Sequence, residues 1–176
     1  MGQRSSAEHR DLSAIAPELS RSLLDWWEVH GRKDPALKPW MFTKDGRWPE
    51  PHEHLNVLEC WIAEVMLQQT QLKVVLPYWQ RWMEVFPTVD ALAAASLEQV
   101  RLQWQGLGYY SRARRLHAAA QRLAQGPWPR DLDSWMGLPG IGRTTAGSIL
   151  SSGFNAPLAI LDGNVKRVLA RLHGHP

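Results

Sequence analysis

From Val57 onward, apolar residues recur every three or four positions, and no two-residue alternation persists anywhere in the 176-residue chain. That period is the turn of an α-helix and not the pleat of a strand. It predicts an all-α fold of roughly eight short helices joined by tight turns. "VLECWIAEVMLQQT" is apolar at Leu58, Trp61, Ile62 and Val65, and "LPYWQRWMEVF" is ended by Pro87. Thr88 can cap "VDALAAA", and Ser96 with Gln99 has the spacing of a capping box at the head of "LEQVRLQW". "SRARRLHAAAQRLAQG" runs to a glycine stop, "DLDSWMG" leads into "LPGIG", and "RTTAGSILSSG" is helical again. Upstream, "PELSRSLLDWWEVHG" puts Leu19, Leu23, Trp26 and Trp27 on one stripe between Pro17 and Gly31. Residues 1–16 are polar and without period, the pattern of a mobile tail. Residues 34–56 carry prolines at 35, 39, 49 and 51 and form a long loop.

Composition narrows the class. With 44% hydrophobic residues the chain can bury a core, and most of its ten tryptophans are expected there. No apolar run is long enough to span a bilayer, and "MGQRSSAEHR" has no apolar signal core, so the expected location is cytoplasmic. Cys60 is the single cysteine. It excludes an intrachain disulfide and a cysteine-rich metal site, and beside Trp61 and Ile62 it reads as a buried thiol. The only close histidine pairs, His52 with His54 and His173 with His175, lie in loop or terminal sequence, and no metal site is expected from them. The formal charge is +3 and the pI about 9.3, with arginines clustered late in the chain. That balance permits a nucleic-acid partner without requiring one.

Three stretches carry chemistry. In "LPGIGRTTAG", residues 138–147, Gly140 and Gly142 allow a tight turn between helices while Leu138 and Ile141 anchor it. Backbone N–H groups at the next helix start, with Arg143, then suit one phosphate; a ligand-free helix connection is the plainer alternative. Glu64 shares a helical face with Trp61, Gln68 and Gln71. Apolar neighbours Trp61, Val65 and Leu67 would raise its pKa, although a solvated glutamate fits the spacing as well. The amides around Thr70 are good base-edge hydrogen-bonders. Asp162, in "ILDGNVKRVLAR", stands where the N–H groups of a following helix would point at it and keep it ionised; a simple N-cap gives the same pattern. One acid and one anion are what glycosidic cleavage needs.

Together "EVMLQQTQ", "WQGLGYYSRARRLH", "LPGIGRTTAG" and "ILDGNVKRVLAR" resemble the adenine DNA glycosylases (MutY) of the helix-hairpin-helix superfamily, over about residues 19–173. The resemblance implies a six-helix barrel over 57–161 containing the hairpin. It implies a split second domain with residues 17–33 at one end and 162–176 at the other. It also implies removal of adenine mispaired with 8-oxoguanine or guanine in double-stranded DNA, by a monomeric base-excision enzyme associated with the nucleoid if bacterial. Carried over by position, Glu64 is the acid that protonates adenine, Asp162 the carboxylate that stabilises the sugar cation, and Asn164 its neighbour. Tyr109 is the wedge; Gln68, Gln69, Thr70 and Leu107 lie at the opened duplex; and Gly140, Gly142, Arg143 and Thr144 belong to the hairpin. Leu67 and Trp40 fall at the adenine pocket. Thr144 stands where endonuclease III-type enzymes carry a lysine nucleophile, so the expected enzyme is monofunctional. Lys166 reads as a phosphate contact or surface residue.

The same resemblance implies a [4Fe–4S] cluster, but its four cysteines have no counterpart here, and neither has a C-terminal Nudix-like domain. The barrel is therefore expected to be largely complete and the cluster domain mostly missing. The alternative reading is a DNA-binding remnant without catalysis, and a lyase on oxidised pyrimidines is a third. Among the arginines at 112, 114, 115 and 122, a DNA-facing row and a solvated helix face are both open, with Arg112 and Arg114 favoured for DNA because they follow Tyr109.

Overall fold

A computed structural model describes residues 15–50 and 52–173. Among them there are nine α-helices, one short 3-10 turn and no strand: α1 (Ala16–His30), the turn Pro39–Met41, α2 (Val57–Leu67), α3 (Leu72–Val85), α4 (Val89–Ala94), α5 (Leu97–Trp104), α6 (Ser111–Leu123), α7 (Leu132–Met136), α8 (Arg143–Phe154) and α9 (Gly163–Leu172). The mobile tail expected over 1–16 lies almost wholly outside the described residues. Asp34–Ile160 forms one compact unit, and the described residues before Asp34 and after Ile160 form another.

Short polar side chains start several of the helices. Asn56 accepts from the Leu58 and Glu59 N–H groups, Thr88 from Ala91 and Asp131 from Ser134. Ser96 and Gln99 close the capping box that their spacing predicts. Each such cap satisfies a donor that the helix itself leaves free.

α2 is the centre of the 34–160 unit. Leu58, Cys60, Trp61, Ile62, Ala63, Val65 and Met66 are all buried, and a helix apolar on most sides can sit only inside a core. It packs against α8, α3, α6 and the 3-10 turn. Trp82 lies edge-on to Trp104, ring centroids 5.5 Å apart, and Trp135 packs on Trp61 and Trp128. The proline-rich loop is not a bare excursion: Trp40, Phe42 and Leu55 are buried. The Cys60 thiol donates to the Trp40 carbonyl at 3.3 Å, and burial pushes its pKa up to about 12.

In the other unit, neither α1 nor α9 contains a buried residue. The stripe expected on α1 is present as a helix face, with Leu19, Leu23 and Trp26 exposed. Asp162 caps α9 by accepting from the Val165 N–H at 2.8 Å.

Candidate functional site

The helix carrying Glu64 stops sooner than its apolar period suggests. α2 ends at Leu67, Gln68 leaves it as the C-cap, and Gln69 takes a left-handed φ of 58°. Gln71 therefore does not share a helical face with Glu64, as its spacing predicts; it stands at the N-cap of α3. The cause lies some forty residues away. One terminal nitrogen of Arg112, Nη1, donates to the carbonyls of Val65 at 3.1 Å, Met66 at 2.9 Å and Gln68. These are the orphan acceptors of a helix end. Nη2 reaches the Thr70 hydroxyl at 3.2 Å and the carbonyls of Leu107 at 3.3 Å and Gly108 at 3.4 Å. Arg112 is 7% exposed, which corrects the expectation that it faces DNA.

The second loop at this place, 105–110, is held as firmly. Trp104 donates its ring N–H to the Gly108 carbonyl at 2.9 Å, and Tyr78 donates to Gln105 at 3.0 Å. Gly106, at a φ of 96°, lies so close to the Tyr78 hydroxyl that a Cβ there would meet it at 2.2 Å. At the end of the loop Tyr109 has a φ of 49° and is 61% exposed, with the Arg112 guanidinium 5.3 Å from its ring centroid. A large exposed aromatic in a left-handed conformation is uncommon and favours a functional reading. Leu107 instead turns inward and is buried, so it anchors the loop and presents no surface.

Glu64 is half-buried. Burial holds its carboxyl above the usual carboxylate range, while a hydrogen bond with Ser148 and the charge of Lys38 pull the other way. One turn on, Gln68 donates to the Thr145 hydroxyl at 3.3 Å. The pairs 64 with 148 and 68 with 145 run in opposite directions along the two helices, so α2 and α8 cross antiparallel here. Leu67 is half-buried beside them. Trp40 is 3% exposed, and its ring lies tilted against Trp79, centroids 5.2 Å apart, which makes it a core residue and not an open pocket wall.

The hairpin joins α7 to α8. Leu138 and Ile141 pack on the core as their apolar character predicts. Gly140 has a φ of 81°, and a Cβ on it would stand 2.9 Å from the Arg115 Cβ. Gly142 is the N-cap of α8 without a side-chain cap, and Arg143 and Thr144 are exposed. Arg115 therefore lies under the hairpin, and Arg122 donates to the Gly137 carbonyl at 3.1 Å.

In the unit formed by the chain ends, Asp162 is half-buried and Asn164 is exposed. The Asn164 side-chain Oδ1 accepts from Arg167 at 2.9 Å. No group of three or more His, Cys, Asp or Glu that could hold a metal exists among the described residues, and Glu53 is paired with Arg47 at 2.9 Å. Cys60 is committed to the core, so the residues present do not fit an iron–sulfur cluster. No helix of the described residues is long and apolar enough to cross a membrane.

Sequence reasoning missed Ser148, Thr145 and the structural work of Arg112 and Arg115. One signal for Arg112 was available: the first turn of α6 carries Arg112 and Arg114 and no acidic residue, although the helix dipole disfavours cations there. Cations placed against the dipole need another reason to be present.

The model of the family described as "HhH-GPD superfamily base excision DNA repair protein" matches residues 62–176. The adenine DNA glycosylase of Buchnera aphidicola subsp. Baizongia pistaciae is 42% identical over 156 residues, covering 87% of this chain and 40% of that protein. The adenine DNA glycosylase of Rattus norvegicus is 42% identical over 156 residues, covering 86% of this chain and 29% of that protein. The chain thus spans two fifths or less of these relatives. Among solved structures, a non-covalent endonuclease III–DNA complex superposes with a TM-score of 0.67 at 27% identity, over 89% of this chain and 68% of that one.

Proposed function

The chain belongs to the HhH-GPD superfamily of base excision DNA repair proteins, and from that premise we propose that it acts as an adenine DNA glycosylase on 8-oxoguanine·adenine or guanine·adenine mispairs in duplex DNA. The observation that carries this reading is Glu64: a carboxyl held protonatable by burial, on the helix whose C-cap is followed by the exposed Gln69. An enzyme working on a base must first take it out of the stack, and that requires side chains to fill the gap. Gln69 and Tyr109, with Thr70 behind them, supply these.

In the proposed reaction Glu64 gives its proton to N7 of the extruded adenine, with Leu67 at the base pocket. The C1′–N9 bond breaks and its electron pair leaves with the base. Asp162 stabilises the positive charge that develops on the sugar, Asn164 orients it, and water adds at C1′ with loss of a proton. Thr144 offers a hydroxyl where covalent capture of the sugar would need an amine, so the reaction ends as hydrolysis. The hairpin N–H groups at Gly140 and Gly142, with Arg143, take a backbone phosphate. The setting that fits is the cytoplasm, on chromosomal DNA, with the chain acting as a monomer.

The test is a single-turnover assay of adenine release from a duplex with one 8-oxoguanine·adenine pair, run beside Glu64→Gln and Asp162→Asn. Release that disappears in both variants supports the assignment. Release that persists in Glu64→Gln overturns it. Binding without any release would leave a DNA-binding module.

A further inference from the structure

Two residues proposed to meet the opened duplex, Gln69 and Tyr109, come from loops forty positions apart, yet both adopt left-handed backbone conformations. For a side chain larger than glycine that conformation is sterically unfavourable. It persists only where the surroundings over-determine it. Gln69 follows the α2 C-cap and Tyr109 precedes α6, and a single side chain bonds to both loops.

We propose that Arg112 is a positioning residue for DNA recognition, a strut that fixes Gln69 and Tyr109 as one prearranged pair. The inference rests on the reading of those two residues as duplex contacts. Its geometry is specific to a guanidinium. The planar fork sends Nη1 toward the end of α2 and Nη2 toward both Thr70 and the 107–108 carbonyls, while its own backbone N–H donates to the Tyr109 carbonyl at 2.8 Å. The plane also lies 5.3 Å from both the Trp104 and Tyr109 rings. Lysine offers a point charge and cannot span both loops. A phosphate contact would need donors turned outward, and the terminal nitrogens of Arg112 are spent on six acceptors within the fold. Its ionic role is taken by carbonyl dipoles, since no ion pair of the described residues includes it.

A strut of this kind affects discrimination more than adhesion. Matched duplex is held through phosphates, at the hairpin, and gains little from a wedge. A mispair gains from side chains that stand ready, because ordering them is not charged to binding.

Arg112→Lys and Arg112→Met in the 176-residue chain would test this by affinity for an 8-oxoguanine·adenine duplex against a matched one, each also in a Tyr109→Ala background. The expected result is a fall of about tenfold in mispair preference for both variants, shrinking to about twofold or less when Tyr109 is already absent. An equal fall in the two backgrounds overturns the strut while leaving the wedge reading intact. If Tyr109→Ala and Gln69→Ala leave the preference unchanged, the wedge reading itself fails. Preference preserved by lysine would instead mean that only the charge matters. Hydrogen exchange on the free Arg112→Lys chain gives a readout that needs no DNA. Residues 68–70 and 107–111 should lose protection together while α8 is unchanged, and a uniform loss across the unit would reduce Arg112 to general stabilisation.

Discussion

Alanine at Gly140 should destabilise the 34–160 unit, whereas alanine at Gly142 should leave it nearly intact. At Gly140 the backbone has a φ of 81°, and a new Cβ would lie 2.9 Å from the Arg115 Cβ and 3.2 Å from its Cδ. The left-handed conformation costs roughly 1–2 kcal/mol, and pushing Arg115 aside adds roughly 1–3 kcal/mol of overpacking. A total of about 2–5 kcal/mol should lower Tm by roughly 5–15 °C for a chain of this size. Gly142 has an ordinary φ of −92° and nothing within 4 Å of a new Cβ. Only its place as a helix cap is lost, worth about 1 kcal/mol. Thermal and urea unfolding followed by tryptophan fluorescence would measure both. On matched duplex, Gly142→Ala should bind more weakly, with its salt slope shallower by about one phosphate's worth, because a methyl then stands where the backbone approaches the anion. The reasoning is refuted if Gly140→Ala melts with the parent chain, or if Gly142→Ala melts as low as Gly140→Ala.

Burial raises the Glu64 pKa above its ordinary value of 4.5, so above that pH the native state keeps a proton that the unfolded chain releases. Stability should fall as pH rises through the folded pKa, and Glu64→Gln should unfold at higher urea than the parent at pH 8 but not at pH 4. Ser148→Ala removes a hydrogen bond that lowers the Glu64 pKa, so carboxyl carbon NMR should show Glu64 titrating at higher pH; a downward move would contradict the geometry. Trp104→Ala removes a fully buried ring that also bonds Gly108, and should cost about 3–5 kcal/mol in urea unfolding. Borohydride with abasic DNA should give no trapped adduct, since Thr144 has no amine.

Much of the helical plan was legible because local chemistry sets it. The capping box at Ser96, the cap at Thr88 and the glycine turn at 140 are each encoded within a few residues. The burial of Glu64 was half legible: its apolar neighbours on α2 allowed a raised pKa, while a solvated glutamate fitted the same spacing. What the text concealed was long-range. Nothing between Ala63 and Gln71 says that the helix ends at Leu67, because its last carbonyls are satisfied by an arginine from another helix. Arg112 reads as one more cation in "SRARRLH"; its burial depends on the Trp104 and Tyr109 rings and on six oxygens from the end of α2 and the two loops. Trp40 was similarly ambiguous, since an aromatic in a proline-rich loop can line a pocket or fill a core, and here Trp79 decides. Ser148 sits in an unremarkable run of small residues and gains meaning only where α8 crosses Glu64.

Cys60 has a practical corollary. With its pKa pushed up to about 12 and its sulfur bonded to the Trp40 carbonyl, the thiolate fraction at neutral pH is on the order of one part in 10⁵. Maleimide and iodoacetamide reagents should pass over it while the fold is intact. A cysteine introduced at Gln69 or at Tyr109 would then be the sole reactive thiol in the molecule. The chain is thus already suited to carry one fluorophore or spin label at either loop, with no native cysteine to remove first.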